Sequence, residues 1–420
     1  MLQRIEPGRA ELGMFIERFD GSWLTHPFWR RRFVISDPKQ LATLRASAVE
    51  AVIIDTSRGI APTPEATPAR RRNPSALASG HAAAPRDVRI AARPQHAGHV
   101  ARPAARQFGN AKRVLRNSTK TVSQVFLKAR LGQAVRLSDV EGVIDDIYQS
   151  ISESPQALTA LLRCQRDAGD IYRHALSVSA LMVALGRAMR LAPERTKQAG
   201  LVGLIMDIGV SQLHARLPEV DDDYRKLPQA CLDEHVYFGH DLAASMDDIP
   251  SECLRACLDH HERVDGSGYP AGLQREEIGE FARMAAICDE FDYLVARGFA
   301  GQPLDPHLAI QEMLRRWHEF DTDILRVFQR ATGLYPIGTF VELRSGRIGM
   351  VVDINPDEPD APVVQTFSSW HASPRGRHAT VDLSRCYGSD GITRVAKPSG
   401  LTGVEVQTHR ARLLEAAHRS

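Results

Sequence analysis

Residues 256 to 270, ACLDHHERVDGSGYP, set two adjacent imidazoles, His260 and His261, beside Glu262 and follow them with a turn rich in glycine and aspartate. Other metal-directed side chains lie in separate apolar stretches: Asp170 and His174 in DIYRHALSVSALMVALGRAM, Asp207 in QAGLVGLIMDIGV, His235 in LDEHVYFGHDLAASM and Asp289 in FARMAAICDEFDYLVA. Asp170 and His174 stand one helical turn apart on the same side, where a carboxylate and an imidazole can share a metal centre. A histidine on the edge of an apolar stripe is, taken alone, more often a core residue than a ligand. Asp207 needs a partner if it is buried, since an unpaired carboxylate there is costly and would be protonated. Its alternative is a helix-end aspartate facing solvent beside Gly209.

Successive residues on a helix point roughly 100° apart, so His260 and His261 are expected to reach two ions, or one ion and one phosphate. Two adjacent metals are then the economical reading. Several imidazoles with a bridging and a second carboxylate suit Fe or Mn, and two such ions about 3.5 to 4 Å apart can activate hydroxide and clamp a phosphodiester. The turn DGSGYP supplies what a phosphate site adds: Gly266 and Gly268 permit close backbone approach, and Tyr269 can stack on a base or donate a hydrogen bond. An Asp-Gly pair alone would be an ordinary turn; directly after His-His-Glu it reads as functional.

The elements that must position these residues are mostly helical. From about Ala111 to Leu334 apolar residues recur with a helical period, broken at SESP, LAPER, ARLPEVDDDY, DDIPS, DGSGYPAGL and GFAGQPLDP. The expected fold class is mainly α, with a small α+β domain at residues 1–60, a disordered Ala/Pro/Arg-rich linker at 61–110, a helical domain at 111–335 and a β-rich extension at 336–420. Within the extension, GTFVELRSGRIGMVVDIN alternates around Ser345-Gly346 as a hairpin does. The linker's Arg70-Arg71-Arg72 run is read as part of a solvated tether. With 53 Lys and Arg against 51 Asp and Glu, overall charge singles out neither nucleic acid nor a membrane surface as partner. The six cysteines form no CxxC pair, as expected of a reduced cytoplasmic protein. No apolar run reaches the length of a signal peptide or membrane span.

The stretch HHERVDGSGYP resembles the HHExxDGxGYP signature of HD-GYP domains, a metal-dependent branch of the HD phosphohydrolase superfamily, over roughly residues 160 to 335. GMFIERFDGSWLTHPFWRRRF resembles the small domain of unknown function often fused ahead of them. The resemblance implies a helical HD-type fold that linearises or fully hydrolyses the bacterial second messenger cyclic di-GMP with two or three Fe or Mn ions. Carried onto this chain, it makes His174, Asp207, His235, His260, His261 and Asp289 metal ligands, with Asp207 the bridging catalytic aspartate. Asp170 sits where three-metal members have a glutamate. Gly266, Gly268, Tyr269 and Pro270 become the substrate-binding turn. Cyclic di-GMP and signalling proteins are the implied partners, a homodimer is a further candidate, and no specific nucleic acid is expected.

Two departures fall on important positions. Where the family reads HDIGK this chain reads MDIGV, which puts Met206 in place of the dyad histidine and Val210 in place of the lysine. A thioether is a soft, weak ligand for Fe or Mn, and valine cannot donate to a phosphate oxygen. Beyond Asp289, the usual DALTSxRPYR texture has become DYLVARGFAG. Three readings follow: a phosphodiesterase with an altered metal site, a signalling module that binds without turnover, and a helical scaffold whose histidines satisfy one another through water.

Overall fold

The computed structural model of the protein describes residues 2–20, 33–35, 38–45, 51–60, 103–164, 171–216, 228–298, 302–355, 358–367, 370, 379–386, 390–398 and 400–418. Residues 61–102, which hold most of the expected linker, lie outside these, as does Asp170. The chain divides into two compact units, residues 1–91 and 92–420.

In the first unit, β1 (Leu2–Ile5), β2 (Phe15–Asp20), β3 (Phe33–Val34), α1 (Pro38–Arg45) and β4 (Ala51–Asp55) form a four-stranded antiparallel sheet in the order β1-β4-β2-β3, with the helix packed on it. Ile5, Met14, Ile16, Ile35, Leu44, Val52 and Ile54 make its core. Branched side chains predominate there because they fit a half-buried pleated surface.

The second unit is helical as expected. It runs α2 (Pro103–Arg130), α3 (Glu141–Glu153), α4 (Ala157–Cys164), α5 (Ile171–Ala188), α6 (Pro193–Ile205), α7 (Val210–Arg216), α8 (Gln229–Ala244), α9 (Ser251–Asp259), α10 (Glu280–Ala296), α11 (Pro306–Arg315) and α12 (Thr322–Thr332). Helices α5 and α10 are buried over most of their length, with Phe281 and Phe291 fully enclosed. Ser179 Oγ on α5 donates to the Gly200 carbonyl of α6 at 2.8 Å. Pro193 and Asp321 mark helix starts, the latter accepting from the Asp323 and Ile324 amides. Cys164, Cys253, Cys257 and Cys288 are buried thiols, and burial pushes the Cys253 thiol up to about 12.

The chain then forms β5 (Phe340–Leu343), β6 (Ile348–Asp353), β7 (Val363–Phe367), β8 (Ala379–Asp382), β9 (Ile392–Val395) and α13 (Gly403–Ala417). The antiparallel sheet has the order β8-β7-β6-β5-β9, and Ser345 and Gly346 turn β5 into β6. This sheet shares one hydrophobic core with the helices, through Phe340, Val341, Leu413 and Leu414 among others. Buried charge fixes the junction. The Asp305 carboxylate at the start of α11 accepts from the Phe340 amide at 3.1 Å and from Arg410 Nη2 at 3.2 Å, while Arg410 Nε donates to the Gly338 carbonyl at 3.0 Å. Arg163 Nη1 donates to the Ile337 carbonyl at 2.9 Å. Removing one partner strands the other charge in the interior, so Arg410→Ala is expected to cost about 3 to 5 kcal/mol in chemical denaturation. A loss under 1 kcal/mol would show that the junction is not held this way.

Candidate metal centre

Five separated segments bring the site together, one of them His260 and His261 just after α9. His174 lies in the first turn of α5, and Asp207 sits in the tight turn between α6 and α7 rather than inside a helix. His235 is on α8, and Asp289 is in the middle of α10. The Asp207 turn is pressed directly onto α8. A Cβ on Gly209 would stand 2.0 Å from the His235 carbonyl oxygen and 2.4 Å from the Gly239 nitrogen, so only glycine permits the approach that puts Asp207 beside His235. Met206 and Val210, on either side, are both fully buried.

Asp207 stands at the centre. Its Oδ2 is 3.2 Å from His174 Nε2, and its Oδ1 is 3.5 Å from His235 Nε2 and 3.6 Å from His260 Nε2. His174 Nε2 also lies 3.0 Å from Asp289 Oδ1, and His261 Nδ1 is 3.7 Å from Asp289 Oδ2. Two sets of ligand atoms result, each with its members within 4.8 Å of one another: Asp207, His235, His260 and His261, and His174, Asp207 and Asp289. Asp207 belongs to both.

His260 and His261, expected to reach two ions or one ion and one phosphate, both give atoms to the first set, and His261 Nδ1 also stands 3.7 Å from Asp289 Oδ2 of the second. Their rings stand 4.1 Å apart at 42°.

The imidazoles are prepared for a cation. His260 Nδ1 donates to the Cys257 carbonyl at 2.8 Å, His235 Nδ1 to the Leu232 carbonyl, and His174 Nδ1 to Asp292 Oδ2 at 2.8 Å. A carbonyl can only accept, so in His235 and His260 the proton is on Nδ1 and the Nε2 lone pair faces Asp207. The buried Nε2 of His260 has no hydrogen-bond partner among the described residues. That is the arrangement in which an outer partner orients an imidazole and raises its basicity toward a metal. Burial works against charge on His174, yet Asp207, Asp289 and Asp292 together hold it well above its ordinary range. Burial likewise opposes ionisation of Asp207, and His174, His235 and His260 outweigh it, keeping the carboxyl well below the usual range. A dense set of carboxylates thus draws positive charge, which a divalent ion can supply in place of protons. The donor set of imidazoles and carboxylates fits a divalent metal ion.

Sequence reasoning passed over Asp292 and the part played by Glu262. Asp292, one turn after Asp289 on α10, also accepts from Ser177 Oγ and so orients His174 from behind. The i,i+3 spacing from Asp289 was the available signal. Glu262 is almost fully buried and faces away from the ligand sets. Its Oε1 accepts from the Ala271 and Gly272 amides at 2.7 and 3.1 Å, and its Oε2 from the Leu273 amide at 2.9 Å.

Those bonds fold the turn back over the histidines. A Cβ on Gly268 would lie 2.3 Å from the Arg263 nitrogen, so the turn backbone rests on the backbone of the His-His-Glu segment. Gly266 has φ +83°, and the Tyr269-Pro270 peptide is cis. Tyr269 stacks on the His261 ring at 4.7 Å and 24°, and it also packs with Val210, Leu232 and Ile171. Glu262→Gln replaces one accepting oxygen by a donor that faces amide N–H groups. Hydrogen exchange at Ala271, Gly272 and Leu273 is therefore expected to accelerate at least tenfold; unchanged protection would show that another contact holds the turn.

No helix among the described residues is long and apolar enough to cross a membrane. Residues 147–324 match the HD domain family, and residues 2–140 match DUF3391, a domain of unknown function, a match that runs past the first sheet and through α2 to the residue before α3. Phosphohydrolases of the HD family are metal-dependent, in keeping with the ligand sets around Asp207. The chain is 33% identical over 398 residues to the cyclic di-GMP phosphodiesterase PA4108 of Pseudomonas aeruginosa, covering 93% of this chain and 91% of that one. It is 23% identical over 192 residues to the cyclic di-GMP phosphodiesterase PdeB of Borreliella burgdorferi, 46% of this chain and 50% of the relative. A 3'3'-cGAMP-specific phosphodiesterase 1 of Vibrio cholerae is 29% identical over 140 residues, 31% and 30% of the two chains. By the long match to PA4108, together with its HHERVDGSGYP motif, the chain belongs to the HD-GYP branch of the HD-domain family and carries a DUF3391 domain ahead of it.

Proposed function

We propose that this chain binds cyclic di-GMP at the Asp207-centred site and hydrolyses it to pGpG or GMP in a metal-dependent reaction, slowed by Met206 and Val210. The observation that carries this reading is the pair of ligand sets sharing one carboxylate. Asp207, His235, His260 and His261 would hold one ion; His174, Asp207 and Asp289 would hold a second, more weakly, because that set has one member fewer. Bound ions would supply Lewis acidity and a lowered water pKa, as in two-metal phosphodiester hydrolysis. Gly268 lets the turn lie on the His-His-Glu backbone beside the ligand sets, where Tyr269 and the half-buried Ile171 can meet a base. The protein-borne task that Val210 leaves undone is donation to a phosphate oxygen, worth about 2 to 4 kcal/mol of transition-state stabilisation.

A specific observation favours a second reading, in which the domain binds the nucleotide without turnover. Val210 is fully buried among Leu232, Ile171 and Tyr269, so the position where the family carries a lysine is here part of an apolar cluster. Metal analysis and product chromatography on the same purified protein separate the two. Stoichiometric Fe or Mn with conversion of cyclic di-GMP, abolished in His261→Ala, is expected from the enzyme; full metal with no product would leave binding as the function. Running 3'3'-cGAMP in parallel tests the substrate class.

A further inference from the structure

The near balance of charge over the whole chain conceals a segregation. Residues 61–130 hold 14 of the 53 Lys and Arg but 2 of the 51 Asp and Glu, so that segment carries +12 and the remainder of the chain −10. Helix α2, the described part of this segment, contains seven basic residues and no acid. Its buried side chains, from Phe108 through Val114, Val122 and Phe126 to Ala129, line one face. At 100° per residue, the exposed residues Arg106, Arg113, Arg116, Lys120 and Leu127 fall within an arc of about 80° on the opposite face, and Leu131, just past the helix end with its amide still donating to the Leu127 carbonyl at 3.0 Å, continues a line of roughly 37 Å. The flanking lysines are neutralised, Lys112 by Glu415 and Lys128 by Asp139, each at 3.0 Å. Arg106, Arg113, Arg116 and Lys120 enter no ion pair among the described residues. Leu127 and Leu131, at the end of the same stripe, are 50% and 61% exposed.

We propose that this face of α2 docks the protein onto a bilayer containing anionic phospholipid. A straight line of cations fits a flat array of phosphate headgroups, and two exposed leucines ending the line can enter the acyl boundary. Nucleic acid accounts for the cations but leaves the leucines without a role, and the stripe has no exposed aromatic ring on which a base could stack. The docking face is built on the side of α2 turned away from the helices that carry the metal ligands, so attachment leaves the centre open to a soluble nucleotide.

The test is sedimentation of the full chain with vesicles of phosphatidylcholine alone or with about 30% phosphatidylglycerol. Binding to the anionic vesicles only, weakened by salt, is expected. Each cation beside an anionic leaflet strengthens binding roughly fivefold, so Arg113→Glu with Arg116→Glu and Lys120→Glu should weaken it at least a hundredfold. Leu127→Ser with Leu131→Ser should weaken it about tenfold at unchanged salt dependence. All five positions are exposed, so metal content and melting temperature should stay at the wild-type values and report that the variants fold. Absence of binding, equal binding to neutral vesicles, or undiminished binding of the triple variant would overturn the proposal. So would tighter binding to duplex DNA or RNA that the leucine variants leave unchanged, or low-salt self-association through the acidic remainder of a second copy that the triple variant abolishes.

Discussion

Asp207→Asn is expected to empty both metal positions and to lower turnover by at least about a thousandfold. The amide keeps the volume of the carboxylate but offers one neutral oxygen where two charged ones face three imidazoles at 3.2 to 3.6 Å. Because Asp207 is common to both ligand sets, its loss differs in kind from the loss of a ligand in one set. His174→Ala should leave the four-residue set reduced to its own members and still able to take up one ion. Elemental analysis therefore distinguishes the two variants, with metal near zero for Asp207→Asn and about one ion per chain for His174→Ala. Equal metal content in both would show that Asp207 does not bridge.

The second large effect runs in the opposite direction. Met206→His with Val210→Lys is expected to raise turnover by roughly 10- to 1000-fold, the rate equivalent of restoring a donor to the transition state. Position 206 is where the family pattern HDIGK carries its dyad histidine, so an imidazole there is expected to add a ligand to the centre. Lysine at 210 would begin among Leu232, Ile171 and Tyr269, where its aliphatic stem can replace the valine contacts and carry the ammonium to the cleft. The two changes act on different ligands of the reaction, metal and phosphate, so metal content should follow the histidine and kcat the lysine. A double variant that gains metal but stays inert would place the defect in the DYLVARGFAG stretch, which lacks the polar positions of the family pattern DALTSxRPYR.

Much of this organisation was legible in the sequence because it is local. The 3.6-residue period marks the long helices, alternation around Ser345-Gly346 marks a hairpin, and His260, His261 and the glycine turn are neighbours in the chain. The rest depends on contacts that no local pattern encodes. Nothing local to Gly209 shows that Gly239, thirty residues on, is pressed against it. Glu262 adjoins two histidines in the chain, whereas its oxygens are taken by amides nine to eleven residues later. Arg163 and Arg410, which meet the chain at Ile337 and Gly338, come from helices far apart in sequence, so neither stands out as a junction residue before folding.

That junction bears on how the protein can be divided. The HD family match stops at residue 324, yet Phe340, Val341, Leu413 and Leu414 fill the same interior as α4, α10 and α12. A polypeptide ended at Tyr335 would leave Arg163 without its Ile337 partner and open an apolar face of the helices to water. Homology boundaries and folding boundaries differ here: the smallest piece able to present the Asp207 centre in native geometry starts near α2 and extends through α13. Fragments cut to the family limits should expose apolar surface, bind hydrophobic dyes and aggregate on expression, whatever the chemistry of their metal ligands.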